Sequence, residues 1–341
     1  MPNTEPDPLA VSSIVHVAAA AIFDEAGRVL IARRPEHVHQ GGLWEFPGGK
    51  VETDESVLEA LTRELHEELG INVQTARPLI RIRHDYPDKS VLLDVWRVDA
   101  FTGTAPSCGG KGREGQSIMW VLPTELVKYD FPAANIPIVT AVRLPDCYLI
   151  TPNPGEDVPA FLAQLENRLR DGIRLVQLRA KSLSAEAYLS LARQCVSLCE
   201  KYDADLMLNA DPTVVTEVGA RGVHLDSGRL DALSEPPFQS FQAVQKNKSN
   251  EKWVSASCHS SQQLEQAKKL GADFVMVSPV AATASHPDTQ PLGWQQFQAL
   301  TERAHCPVFA LGGMTAADLD QAFAHGAQGV AAIRALWERL N

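Results

Sequence analysis

The 23-residue stretch GKVETDESVLEALTRELHEELGI, Gly49 to Ile71, constrains this chain more than any other segment. Ser56 followed by Glu59 is a capping-box pattern and predicts a helix starting near Ser56. Val57, Leu61 and Leu65 recur every four residues and form the stripe that such a helix buries. Gly70 is a natural stop just past the last turn. On that helix Glu64, Glu67 and Glu68 stand at i, i+3 and i+4, so they share one face. Three carboxylates so close repel each other and raise each other's pKa values. A hard divalent cation relieves that repulsion, and Mg²⁺ prefers oxygen ligands while keeping water and substrate phosphates in its shell. Arg63 is placed to pair with a loop carboxylate such as Glu55. Gly48 and Gly49 allow the backbone to come close to the helix and to a metal. The run HEEL alone would also suit a solvated acidic face; the complete, ordered pattern around it argues for chemistry.

The chain has 341 residues and 45% apolar residues, enough for two cores. Its net charge is −11 and its isoelectric point is about 5.4. That balance argues against stable nucleic-acid binding, which needs a basic face, and leaves room for a small nucleotide in a pocket with local arginines. Six cysteines are scattered without a zinc-like CxxC pair, which points to reduced, mostly buried thiols. No apolar run reaches membrane-spanning length. The opening MPNTEPDPLA is polar and proline-rich rather than a signal peptide. A cytoplasmic protein with a short disordered tail at 1–13 is expected. Oligomeric state is not legible.

The ordered pattern resembles the signature of the Nudix hydrolases, and the resemblance extends over residues 14–145. It is nearest to the MutT-type branch of 8-oxo-dGTP diphosphatases, through VHVAAAAIFDEAGRVLIARRP, HQGGLWEFPGGK, the loop Gly112–Gln116 and FPAANIPIV from Phe131. The resemblance implies an α/β/α sandwich with a mixed sheet. It also implies Mg²⁺, or Mn²⁺ in its place, and hydrolysis of 8-oxo-dGTP to 8-oxo-dGMP and pyrophosphate. That reaction keeps an adenine-pairing oxidised base out of DNA during replication. Carried over, Glu64, Glu67 and Glu68 are metal ligands beside the Gly48 carbonyl, and Glu114 joins the metal site or takes the water's proton. Arg33 contacts phosphate, Gly49 borders the substrate, Phe46 and Phe131 wall the base or simply fill the core, and Asn135 reads the purine. Asn135 also has a physical rationale. Oxidation at C8 turns the guanine N7 acceptor into a donor, and one amide then meets a donor and an acceptor side by side.

A second unit is expected over 146–341, after a short linker Leu144-Pro-Asp-Cys. Apolar runs YLIT, LVQL, DLMLN, GVHL, WVSAS, FVMVS, VFALG and GVAAI alternate with amphipathic stretches, which implies a (β/α)₈ TIM barrel. Residues 234–250 are polar and irregular, as in a surface loop. This half resembles the thiamine phosphate synthase and TenI-like thiazole tautomerase superfamily, through YLIT, VQLRAK, LMLNAD, GVHL, SASCHS, SPVAAT, ALGGM and GVAAI. The resemblance assigns a diphosphate site to Gln177, Arg179, Lys181 and Thr283, and a phosphate site to the Gly312 and Gly313 amides. Asn209, Ser257 and His259 complete the mouth. It also exposes departures. The first Mg²⁺-binding Asp is replaced by Ala210, with Asp211 one place late; the second is Arg229. The Thr-x-Thr-Lys segment reads Thr283-Ala-Ser285-His286, and a small serine is Arg334. Three readings stay open: a degenerate synthase or phosphate-ligand binder, a metal-free tautomerase using His259, or an active synthase whose Nudix partner hydrolyses pyrophosphates of the thiamine pathway.

Overall fold

The computed structural model describes residues 14–87, 89–238, 251–283 and 290–338. The expected tail at 1–13, Ser285 and His286, and residues 239–250 of the expected loop lie outside them.

Alternation in one alanine-rich strand organises the first half. Strand β1 (Val15–Ile22) runs parallel to β6 (Ser90–Gly103) and antiparallel to β4 (Gly48–Lys50), and β5 (Ile71–Asp85) runs antiparallel to β6. The order is β4-β1-β6-β5. Ala18, Ala20 and Ile22 share a core with Leu61, Leu65 and Leu69 of helix α1 (Val57–Leu69). Ala19, Ala21 and Phe23 share another with Ile138, Val139 and Val142 of α2 (Ile136–Arg143). Side chains alternate across a strand, so β1 is apolar on both faces and carries one helix on each. The mixed sheet between two helices is thus as expected. The sequence had not indicated a second, antiparallel sheet, in which β2 (Val29–Arg33) lies between β3 (Trp44–Glu45) and β7 (Ile118–Val121).

The expected linker is a packed joint. Leu144 is only 5% exposed and belongs to the barrel's interior cluster. Gln328 Nε2 donates to the Ala141 and Leu144 carbonyls, both at 3.2 Å. Arg143 forks onto Glu251 at 3.1 and 2.7 Å, and Arg221 reaches the same carboxylate at 3.1 Å.

The second half is a closed barrel of eight parallel strands. They are β8 (Cys147–Ile150), β9 (Leu175–Leu178), β10 (Asp205–Leu208), β11 (Gly222–Leu225), β12 (Trp253–Cys258), β13 (Phe274–Val277), β14 (Val308–Leu311) and β15 (Gly329–Ala332), with β15 pairing back to β8. A helix follows every strand: α3 (Val158–Arg170), α4 (Ala185–Lys201), α5 (Pro212–Val218), α6 (Ser227–Ala232), α7 (Ser261–Lys269), α8 (Gly293–Thr301), α9 (Leu319–Ala324) and α10 (Arg334–Trp337). Leu149, Val176, Leu206, Val223, Val254 and Val275 face the helices. Tyr148, Leu175, Met207, Trp253, Phe274 and Phe309 fill the interior. Gly222 sits where a Cβ would run into the Trp253 backbone carbonyl and the Met207 methyl, so the close approach of β11 to β12 there requires a glycine.

The inward layer nearer the strand ends is polar. Gln177 Nε2 donates to Tyr148 Oη at 3.3 Å. His224, 1% exposed, lies between Ser255 Oγ and Ser257 Oγ, each 2.9 Å from a ring nitrogen. Burial drives the His224 pKa down to about 3, so the ring is neutral. In the unfolded chain this ring binds a proton near pH 6.5. The folded state therefore loses stability as pH falls below that value, by about 1.4 kcal/mol per pH unit for one group. His224→Asn should flatten that loss, read from denaturant midpoints at pH 7.5 and 5; an unchanged pH dependence would remove His224 from the account.

Candidate functional site

Helix α1 is held at both ends by its own sequence. Ser56 Oγ accepts from the Glu59 amide while the Glu59 carboxylate accepts from the Ser56 amide, and Gly70 closes the helix in the left-handed conformation at φ 76°. Arg63 ties the helix to the loop before it. Its Nε and Nη2 donate to the two Glu55 carboxylate oxygens at 2.9 Å, and Nη2 also reaches the Lys50 carbonyl at 3.2 Å. Nη1 donates to Glu64 Oε1 at 2.8 Å and stands 3.6 Å from Glu67 Oε2. A Cβ on Gly49 would run into the Glu64 carboxyl, and one on Gly48, at φ 146°, into the Ala18 carbonyl. The glycine pair is what lets strand β4 lie against the glutamates.

The outer loop is pinned to the same helix end. The Arg113 amide donates to the Glu68 carbonyl at 2.7 Å and its Nη1 to the His66 carbonyl at 3.1 Å. Glu114 is thereby brought near the Glu68 carboxyl and stays exposed. Glu68 Oε2 is sealed from water and has no hydrogen-bond partner. Burial, then the charges of Glu45, Glu114 and Glu64, push the Glu68 pKa up to about 8, against a lowering contribution from the Gly48 amide. The structure thus gathers Glu64, Glu68 and Glu114. Glu67 stands further out, with its side chain 55% exposed. Sequence reasoning missed Glu45, which reaches the cluster from β3 with Arg34 as its ion-pair partner. Its signal was a lone carboxylate between Trp44 and Phe46 in a strand just before the glycines.

A hard divalent cation fits this arrangement, because it would give the orphaned Glu68 oxygen a partner and offset four crowded carboxylates. Among the described residues no group of three or more His, Cys, Asp or Glu side chains is arranged to hold a metal ion by itself. Arg63 occupies one Glu64 oxygen and stands near Glu67, and a cation here would take much of its coordination from water and phosphate.

Arg33, at the end of β2, donates to the Gly42 carbonyl at 3.0 Å and to Glu36 at 3.1 Å. Phe46 and Phe131 are 3% and 7% exposed and stack at 5.6 Å in the core, so they act first as core aromatics. Asn135 is half-buried at the start of α2 and its side chain makes no capping bond there.

In the barrel the expected residues gather at the C-terminal ends of the strands, with one exception. Gln177 lies deeper, 2% exposed against Tyr148, because it continues the inward face of β9 below Arg179. His259 Nδ1 donates to the Ser278 carbonyl at 2.7 Å, which leaves Nε2 to accept from Ser227 Oγ at 3.0 Å. Gly312 and Gly313 adopt φ of 102° and 70°, and a Cβ on either would press on Pro279 or Ala281. Thr283 is the last described residue before 290.

Two family models match the chain. One described as a NUDIX domain matches residues 18–141, and one described as thiamine monophosphate synthase matches residues 147–336. The chain belongs to both families. Its Nudix half is 42% identical over 101 residues to the 8-oxo-dGTP diphosphatase of Proteus vulgaris, covering 30% of this chain and 90% of that protein. It is 39% identical over 122 residues to the CTP pyrophosphohydrolase of Escherichia coli, covering 36% of this chain and 87% of that protein. Its barrel is 36% identical over 182 residues to the thiamine-phosphate synthase of Lysinibacillus sphaericus, covering 52% of this chain and 81% of that protein. No helix among the described residues is long and apolar enough to cross a membrane.

The Glu68 surroundings make a prediction that separates folding from function. Gln is a neutral isostere, so Glu68→Gln in EDTA should melt no lower than wild type. Added Mg²⁺ should raise the wild-type melting temperature and leave the variant's unmoved. A lower melting point in EDTA would show that Glu68 stabilises the fold as an anion, contrary to its surroundings.

Proposed function

We propose that the Nudix half is a divalent-cation-dependent nucleoside triphosphate pyrophosphohydrolase acting on 8-oxo-dGTP, with 14–145 as its domain and 146–341 as the barrel's. One observation carries the hydrolase reading: a sealed, partnerless Glu68 oxygen beside Glu64, Glu114 and Glu45. When bound at such carboxylates, Mg²⁺ withdraws charge from phosphate oxygens and acidifies water. The chain's own groups do the rest. Arg63 fixes Glu64 and the loop before α1, so the carboxylates do not reorganise when substrate arrives. Glu114, exposed on its pinned loop, is placed to take the proton of the attacking water. The water oxygen bonds to the attacked phosphorus as the bridging P–O bond breaks, which divides the triphosphate into nucleoside monophosphate and pyrophosphate, one of them carrying that oxygen. Arg33, at the end of β2, is the guanidinium that this reading assigns to phosphate, in exchange for its contacts to Gly42 and Glu36.

The choice of base rests on Asn135, whose half-buried amide is not spent on capping α2. An amide that pairs with both O6 and the protonated N7 of 8-oxoguanine loses one of those bonds on ordinary guanine. A polar group left unpaired in a pocket discriminates strongly. The relative that acts on CTP supports a pyrimidine as the competing substrate.

The test is kcat/KM with Mg²⁺ for 8-oxo-dGTP, dGTP, CTP and the hydroxymethylpyrimidine diphosphate of the thiamine pathway. Preference for 8-oxo-dGTP is expected; preference for the pyrimidine diphosphate would place both halves in one pathway and end the purine role of Asn135. Glu68→Gln should lower kcat/KM by about 10²-fold or more, since metal-site electrostatics supply several kcal/mol. Asn135→Ala should reduce the preference over dGTP by about 1–3 kcal/mol, the cost of one unsatisfied polar contact. An unchanged ratio would remove Asn135 from the base site.

A further inference from the structure

The barrel mouth does not fit the divalent cation that its family implies. Position 210 is an alanine, and the acid one place later is already engaged: Asp211 Oδ1 accepts from the Thr213 amide at 3.0 Å and from Thr213 Oγ1 at 2.6 Å, capping α5. The other expected ligand position holds Arg229, on α6 just beyond β11. Its Nη1 donates to Asn209 Oδ1 at 2.6 Å and to Asp226 Oδ2 at 3.4 Å. A guanidinium therefore stands against the asparagine beside which a cation would be held. Asp226 is itself bound up, capping α6 through the Arg229 amide at 3.2 Å and facing Lys181 Nζ at 3.8 Å.

The rest of the mouth is cationic. Arg179 and Lys181 follow β9, Arg229 follows β11 and Arg334 follows β15. Among the described residues neither Arg179 nor Arg334 has a carboxylate partner. Gly312 and Gly313 follow β14 with positive φ, and turn backbone of this kind can present amides to an anion. Side chains that carry fixed positive charge and fork-like donors can hold phosphate oxygens directly.

We propose that the barrel binds a small molecule bearing a phosphate or diphosphate without a divalent cation, the Arg229 guanidinium supplying the charge that the metal supplies elsewhere in the family. This rests on reading the barrel as a phosphate-ligand site and is independent of the Nudix substrate.

Isothermal titration of the full chain with inorganic pyrophosphate tests it. In EDTA the Nudix carboxylates repel the anion, so binding there should report the barrel alone. Binding is expected in EDTA, undiminished in Glu68→Gln and weakened about tenfold or more in Arg229→Gln, the loss of a charge-assisted contact. Arg229→Lys, which keeps the charge without the fork, should fall between and guards against a folding defect. In the Glu68→Gln background, which silences the Nudix site, adding Ala210→Asp and Arg229→Asp should make pyrophosphate binding depend on added Mg²⁺. If Glu68→Gln binds pyrophosphate only with Mg²⁺, and equally well with Arg229→Gln added, the barrel is a phosphate site but the metal-free proposal fails. If Glu68→Gln binds none under either condition, the barrel reading itself fails.

Discussion

The Nudix half is built around one unfavourable placement, a half-buried carboxylate with one oxygen sealed and unpartnered. Glu68 lies where burial and three neighbouring acids all disfavour its charge. An acid in that position costs stability unless protonated or given a cation, so the surrounding order has to come from elsewhere. It comes from the capping box at Ser56, the left-handed Gly70 and the Arg63 fork onto Glu55. None of these needs a metal. The helix is thus presented in place, and the free energy of relieving the carboxylate cluster is available to cation and phosphate rather than to folding.

The two halves meet through a charged joint instead of a tether. Arg143 and Arg221 share Glu251, and both guanidiniums lie over the Trp253 ring, at 5.2 and 4.7 Å. Arg77 crosses from β5 to bind Asp146 at 2.8 Å and lies 3.8 Å over the Phe323 ring. Arg143 and Glu251 are 8% and 13% exposed, so removing one would strand the other's charge. These contacts and Leu144 close the N-terminal end of the barrel strands. The candidate phosphate site lies at their C-terminal ends, as sites in this fold do, so the joint does not cover the mouth.

Much of this was legible because it is local. Helix α1 and its caps follow from Ser56, Glu59 and Gly70, residues whose partners lie within a few positions. The barrel strands follow from short apolar runs whose order the family resemblance supported. What the sequence did not disclose is long-range. Glu45 and Glu68 are 23 positions apart, and nothing between them signals that they converge. Leu144 looked like linker because its partners are strands that come later in the chain. His224 looked like one more strand residue, and only burial between two serines makes it a neutral ring. Gln177 was expected at the mouth, but the alternation of β9 places it a layer lower than Arg179.

The acidic net charge obscured a further point: this chain holds candidate phosphate sites of opposite electrostatic design. In the Nudix half the groups nearest the proposed chemistry are anions, and they repel a polyphosphate until a cation intervenes. In the barrel the Asp211 and Asp226 carboxylates are spent on helix caps, and a guanidinium faces the mouth. A carboxylate site with a labile cation can respond to charge developing during reaction, which suits hydrolysis. A fixed guanidinium gives directional, metal-free binding and lacks the Lewis acidity that helps a diphosphate leave. The same substitution that removes the metal therefore argues for a barrel that holds its ligand more readily than it ionises it.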